Sequence, residues 1–293
     1  LLALIAIYFL GPKPAQPVYN HQLPDVPADA SALEDYIRTK ESNHRIKPDN
    51  EARIIWNDSS RQKTEYAIVY LHGFSASQKE GDPTHRRFAH AFGANLYLPR
   101  LSDHGIDTTE TLLYFTADRF WESAKEALAI GKQLGHKVIL LSTSTGGTVA
   151  LKLAADFKQD VFALINMSPN IAINDNAAFI LNDPWGLSIA RIVKNGNYHI
   201  TGADTAAMQY WNKKYRLESL VQLQQLVETT MTEQTFKNVT QPCLTLYYYK
   251  NASEQDPQVK VSAMLTMHNQ LGTPQDLKAA IAIPTAGAHV LGG

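Results

Sequence analysis

Ser144 lies in the stretch Ser142-Thr143-Ser144-Thr145-Gly146-Gly147, after the apolar run Val138-Ile139-Leu140-Leu141 and before the helix-forming run Thr148 to Ala155. A serine on a sharp strand-to-helix turn presents its hydroxyl to the outside, and the small residues behind it let the helix start close to the strand. The usual pattern for such a turn is Gly-x-Ser-x-Gly, and here Ser142 stands in the first glycine position. Serine is among the smallest substitutes, so a tighter turn is expected rather than a lost one. A lone hydroxyl is inert at neutral pH and needs a base, a group to orient that base, and donors for the oxyanion. His289, in Thr285-Ala286-Gly287-Ala288-His289-Val290, is the candidate base. Asp256, in Asp256-Pro257-Gln258-Val259, is the candidate acid, with Glu254 two residues earlier as its alternative. His72-Gly73-Phe74 closes another apolar run, and the backbone N–H groups of Phe74 and Thr145 are the candidate oxyanion donors. The chemistry open to such a set is acyl transfer to serine.

These residues must be carried by the ends of neighbouring strands. Tyr66 to Leu71 is a continuous apolar run that suits a strand buried on both faces. Ala52 to Trp56, Ala94 to Pro99, Val138 to Leu141, Val161 to Asn166, Cys243 to Tyr249 and Ala280 to Ile283 read as further strands. Helical spacing appears over Ala32 to Lys40 behind a Ser31 cap, in a segment opened by Asp82-Pro83, over Ala117 to Leu134, and over Val261 to Leu271. Strand and helix alternate, which predicts an α/β fold with a mostly parallel central sheet and helices on both faces. Residues 169–238 break that rhythm. They are mostly helical, with Tyr198, Met208, Tyr210, Trp211 and Tyr215 gathered in the middle, and they read as an inserted helical cap between core segments 18–168 and 239–293.

The 293 residues are enough to bury a full core. With 27 basic and 28 acidic residues, no charge imbalance points to nucleic acid as a partner. The ten histidines show no paired metal spacing, and the single cysteine, Cys243, excludes a thiolate zinc site and an internal disulfide, so no metal is expected. Leu1 to Leu10 are all apolar or aromatic, and Gly11 to Pro17 form a proline-rich tether. Residues 1–17 therefore read as the remnant of a membrane anchor or export signal followed by a tether. This predicts membrane association through residues 1–10 and a place outside the cytoplasm.

Taken in order, Leu71-His72-Gly73-Phe74, Pro99-Arg100-Leu101-Ser102-Asp103-His104-Gly105, the Ser142–Gly147 turn, Gln241-Pro242-Cys243-Leu244 with Asp256-Pro257-Gln258-Val259, and Gly287-Ala288-His289-Val290 resemble the α/β-hydrolase superfamily, in its lid-bearing branch of esterases and monoacylglycerol-lipase-like serine hydrolases. The resemblance covers about residues 53 to 291. It implies an eight-stranded, mostly parallel sheet, a Ser144-His289-Asp256 triad, no cofactor, and a helical cap over the site. It also implies a closing helix after His289, where this sequence has only Val290 to Gly293. The expected activity is hydrolysis of a carboxylic ester with an apolar acyl or aryl group, through an acyl-enzyme. Acyl transfer, amide or thioester hydrolysis on the same residues, and a non-catalytic surface-binding role are the alternatives. A carboxylate would replace Ser144 in relatives that open epoxides or remove halogens, so that chemistry is disfavoured.

Overall fold

The computed structural model describes residues 8–202 and 207–293. Its main sheet has seven strands: β1 (Arg53–Ile55), β2 (Thr64–Leu71), β3 (Asn95–Leu98), β4 (Gly135–Thr143), β5 (Ala163–Met167), β8 (Cys243–Tyr247) and β9 (Lys278–Ala282), in the order β1-β3-β2-β4-β5-β8-β9. All neighbours pair in parallel except β1, which runs antiparallel to β3 at the edge. Among the described residues the sheet thus has one strand fewer than the eight implied by resemblance.

The apolar runs set the two layers. In β2, Ala67, Val69 and Leu71 point into one buried cluster while Ile68 and Tyr70 point into the other. The larger cluster is closed by α1 (Ala30–Glu41), α3 (Ala117–Leu134), α4 (Thr145–Asp156) and α8 (Val261–Gln270). On the opposite face, α2 (Thr84–Ala91) contributes Ala89 beside Ile68, Tyr70 and Leu96. Helix α3 has the predicted bounds, because Thr116 caps its start and Phe120, Trp121, Ala124 and Leu128 form one fully buried stripe. Two predicted helix starts differ. Asp29 rather than Ser31 caps α1, its carboxylate accepting the Ala32 N–H at 2.9 Å. Helix α2 begins at Thr84, while Asp82 pairs with Lys79 and Arg86.

Between β5 and β8 lie α5 (Gly186–Val193), a small antiparallel pair β6 (Tyr198–Ile200) and β7 (Lys214–Arg216), α6 (Leu217–Thr230) and α7 (Glu233–Asn238). Leu223, Leu226 and Val227 of α6 and Phe236 of α7 join the main core cluster. Helix α5 leaves Ile189, Ile192 and Val193 exposed. The β6–β7 pair is tied to the loop before α3 by the Arg216–Glu110 ion pair at 2.6 Å. Among the described residues no helix is long and apolar enough to cross a membrane. Of the predicted membrane segment, residues 1–7 lie outside the described residues, and Tyr8, Phe9 and Leu10 are exposed.

Candidate active site

Ser144 sits between β4 and α4 with φ 53° and ψ −121°, a backbone conformation that L-residues adopt only at a cost. Hydrogen bonds from every side hold it there. Its N–H donates to the Met167 C=O at 3.0 Å, and its own C=O accepts from Gly147 N–H at 2.8 Å and Asn170 N–H at 2.9 Å. Gly146 is required by space: a Cβ on it would lie 1.9 Å from the Leu71 carbonyl oxygen. Ser142 is fully buried, and its hydroxyl donates to Asn166 Oδ1 on the neighbouring strand at 2.8 Å. The position that usually takes glycine therefore has room for a hydroxymethyl group and a partner for its oxygen.

Asp256 follows β8 in a loop stitched to the loop after β5 through the Ile173–Val259 bridge and the Lys260 N–H to Ala172 C=O bond at 2.9 Å. It is buried. Its Oδ1 accepts the N–H groups of Gln258 (2.9 Å) and Val259 (3.1 Å), and its Oδ2 accepts from His289 Nδ1 at 2.7 Å. Burial pushes the carboxyl up, but the bonds from His289, Gln258 and Val259 outweigh it and hold Asp256 below the usual carboxylate range. The alternative, Glu254, is exposed and pairs with Lys250 at 3.0 Å. With Nδ1–H donated to Asp256, His289 keeps Nε2 as an acceptor that no hydrogen bond among the described residues engages. Of the three predicted side chains, then, the structure bonds Asp256 to His289. Ser144 Oγ makes no hydrogen bond among the described residues.

The loop after β2 carries the predicted oxyanion donor. Two buried histidines pin this loop. His72 gives Nδ1–H to the Gly73 C=O at 2.9 Å and accepts the Leu101 N–H on Nε2 at 3.1 Å. His104 gives Nδ1–H to the Ser102 C=O at 2.8 Å and accepts the Ser75 N–H on Nε2 at 2.9 Å. Burial lowers His72 to about 3 and His104 to about 4, so both are neutral and keep these acceptor nitrogens. Phe74 packs edge-on against Phe115 and Tyr215, with ring centroids 5.2 and 5.3 Å apart. Among the described residues, neither Phe74 N–H nor Thr145 N–H has a hydrogen-bond acceptor.

One buried group here has no counterpart among the predicted residues. Glu80, in the short turn Gln78–Gly81, accepts the Gly73 N–H on Oε2 at 2.6 Å. A Cβ on Gly73 would meet both Glu80 Oε1 (2.9 Å) and Ser144 Cβ (3.0 Å), so the glycine is held between the carboxylate and the serine. Among the described residues no cluster of His, Cys, Asp and Glu is placed to hold a metal ion. A cavity of about 580 Å³ lined by Tyr36, Arg100, Arg119 and Glu122 includes none of Ser144, Asp256 and His289.

Comparison with known families matches residues 68–291 to the alpha/beta hydrolase family. The chain belongs to that family. No curated protein sequence matches it. Among solved structures, this alpha/beta hydrolase is similar to one from the metagenome-derived lipolytic enzymes LipS and LipT, with 16% identity, a TM-score of 0.67, and 84% of this chain and 91% of the other covered. It is also similar to the Paleococcus ferrophilus monoacylglycerol lipase, at 11% identity, a TM-score of 0.58, and 80% and 93% covered. A third likeness is to the esterase Est1E of Butyrivibrio proteoclasticus with ferulic acid bound, at 17% identity, a TM-score of 0.53, and 82% and 87% covered. At these identities the likeness is one of fold. It agrees with the mostly parallel sheet flanked by helices on both faces.

Proposed function

We propose that this alpha/beta hydrolase cleaves carboxylic esters through an acyl-enzyme. The observation that carries the reading is the bond between His289 Nδ1 and Asp256 Oδ2, made by residues that follow the Ser144 turn in the chain order such enzymes use. His289 takes the Ser144 proton on Nε2 as the oxygen attacks the acyl carbon, then gives it to the leaving alcohol. Asp256 fixes the imidazole tautomer and stabilises its cation. The N–H groups of Phe74 and Thr145 receive the oxyanion, each such donor supplying about 3 kcal/mol. Water then attacks the acyl group with His289 again as base. Contacts between base and nucleophile are commonly long until substrate closes the site, which accommodates a Ser144 Oγ without a partner. The aromatic group Phe74, Phe115 and Tyr215 beside the oxyanion loop supports an apolar acyl or aryl substrate. That a lipase, a set of lipolytic enzymes and a ferulic-acid-bound esterase share the fold supports the same class.

Ser144→Ala should lower hydrolysis of p-nitrophenyl esters by about 10⁴-fold or more. A fluorophosphonate probe should label Ser144 in the parent chain and nothing in the variant. Folded protein that takes up no probe would sink this reading.

We also infer that the side carrying α5 meets lipid without spanning it. Phe9, Leu10, Ile192 and Val193 are exposed, and the Trp185 N–H to Pro12 C=O bond at 2.9 Å brings the N-terminal segment to the start of α5. Replacing Ile192 and Val193 with Glu should reduce sedimentation with phosphatidylcholine vesicles while changing turnover of a soluble ester by less than about two-fold. Undiminished vesicle binding would rule this surface out.

A further inference from the structure

Glu80 is nearly fully buried, and among the described residues the only side-chain hydroxyl that reaches it is weakly placed. Its Oε2 takes the Gly73 N–H at 2.6 Å and lies 3.4 Å from the Tyr70 hydroxyl. Tyr70 in turn shares a hydrogen bond of 2.9 Å with Thr143, the residue before Ser144. A chain of contacts therefore runs from the nucleophile's strand, through Tyr70 and Glu80, to the oxyanion loop. Within that loop the amides are accounted for one by one. Gly73 N–H is held by Glu80, Ser75 N–H by His104 Nε2, and Ala76 N–H reaches the Gly73 C=O at 3.4 Å. Phe74 N–H alone in that run has no acceptor among the described residues. The amides on either side of it are tied to buried side chains, so its own direction is set.

Burying a carboxylate with so few donors is costly, and a turn of polar residues does not need it for packing. We propose that Glu80 is a positioning residue for the ester cleavage: its carboxylate clamps the Gly73 amide and so turns the Phe74 N–H toward the carbonyl that Ser144 attacks. This rests on the assignment of Ser144 and Phe74 made above.

The charge state of the clamp is tunable. Burial pushes Glu80 up to about 7, against the opposing pull of the Gly73 N–H, His289 and Tyr70. The ionisable groups around it are Tyr70 from β2 and His289 from the last loop. Next to Tyr70 lies His85 of α2, whose ring centroid is 5.0 Å away and which burial lowers to about 4. On its own turn, Lys79 and Asp82 pair with each other at 2.6 Å.

The test uses the full chain with Glu80→Gln and Glu80→Ala. The amide oxygen of Gln can still accept the Gly73 N–H, whereas Ala cannot. In the parent chain the Gly73 amide resonance should move with pH, with a midpoint near 7, and in Glu80→Gln that movement should vanish. Glu80→Ala should lower kcat roughly 10- to 100-fold with KM within about two-fold, as expected for a misaimed oxyanion donor. Glu80→Gln should restore most of kcat. A Gly73 amide that ignores pH, or a folded Glu80→Ala with parental kcat, overturns the proposal. The resonance is read without turnover. A parent chain that cleaves no ester and takes up no fluorophosphonate would therefore fail the Ser144 assignment, while the clamp is still judged by its own signal.

Discussion

At Ser142 the side chain matters more than the motif it departs from. Its hydroxyl satisfies Asn166 Oδ1 inside the sheet, where an unpaired acceptor costs about 1–3 kcal/mol. Restoring the usual pattern with Ser142→Gly should therefore destabilise the protein by about that amount, read as a lower urea midpoint, rather than improve it. A variant with unchanged stability would show that the bond contributes nothing. Ser144, Asp256 and His289 stand out in the sequence as candidates because each lies in a short, recognisable stretch after a strand. It missed Glu80 for a physical reason. Ser77-Gln78-Lys79-Glu80 has the composition of an exposed turn, and it is enclosed by Tyr70 and Gly73 at the end of β2 and, from the far end of the chain, by the Gly292–Gly293 segment. Nothing local marks a carboxylate that the fold will enclose.

At the level of elements, the turn between β4 and α4 is built by contact rather than by propensity. The parallel register places Ser142 opposite both Leu71 and Asn166, so three strand ends converge beneath Ser144. Helix α4 can approach them only because Gly146 has no side chain. Gly146→Ala should push the helix off the sheet. It should cost several kcal/mol, since a contact of 1.9 Å with backbone has no flexible atom to yield. Circular dichroism melts would show it, and a melting point within a degree or two of the parent would refute the packing argument. Helix α3 was legible to the residue because its apolar stripe and the Gly135 that ends it agree. The start of α1 was not, because Asp29 and Ser31 are both competent caps, and the fold uses Asp29. Residues 169–238 read as one helical insertion, yet the apolar stripe of α6 is buried in the main core, and a stripe cannot announce what it faces.

For the molecule as a whole, buried neutral histidines tie stability to pH. His72 is lowered to about 3 and His85 and His104 to about 4, all chiefly by burial. In the unfolded chain each titrates near its ordinary 6.5, so between about 4 and 6.5 the unfolded state binds more protons. Their neutral forms therefore give full stabilisation above pH 6.5, and it is lost as the pH falls toward the folded-state values. Each contributes a slope of about 1.4 kcal/mol per pH unit within that window. Glu80 acts in the opposite sense: raised in the fold, it favours folding most below its ordinary 4.5 and least above 7. With three histidines against one carboxyl, the urea midpoint should fall steeply from pH 6.5 to pH 4. His104→Asn should flatten that fall, and an equal slope in the variant would exclude His104 as a contributor.

The backbone of Ser144, at φ 53°, has an evolutionary consequence. Strain of about 1–3 kcal/mol is carried at the residue proposed as the nucleophile, and glycine would relieve it. Stability and activity thus pull position 144 in opposite directions. A descendant freed from its substrate would drift toward glycine there and become sturdier as it became inert.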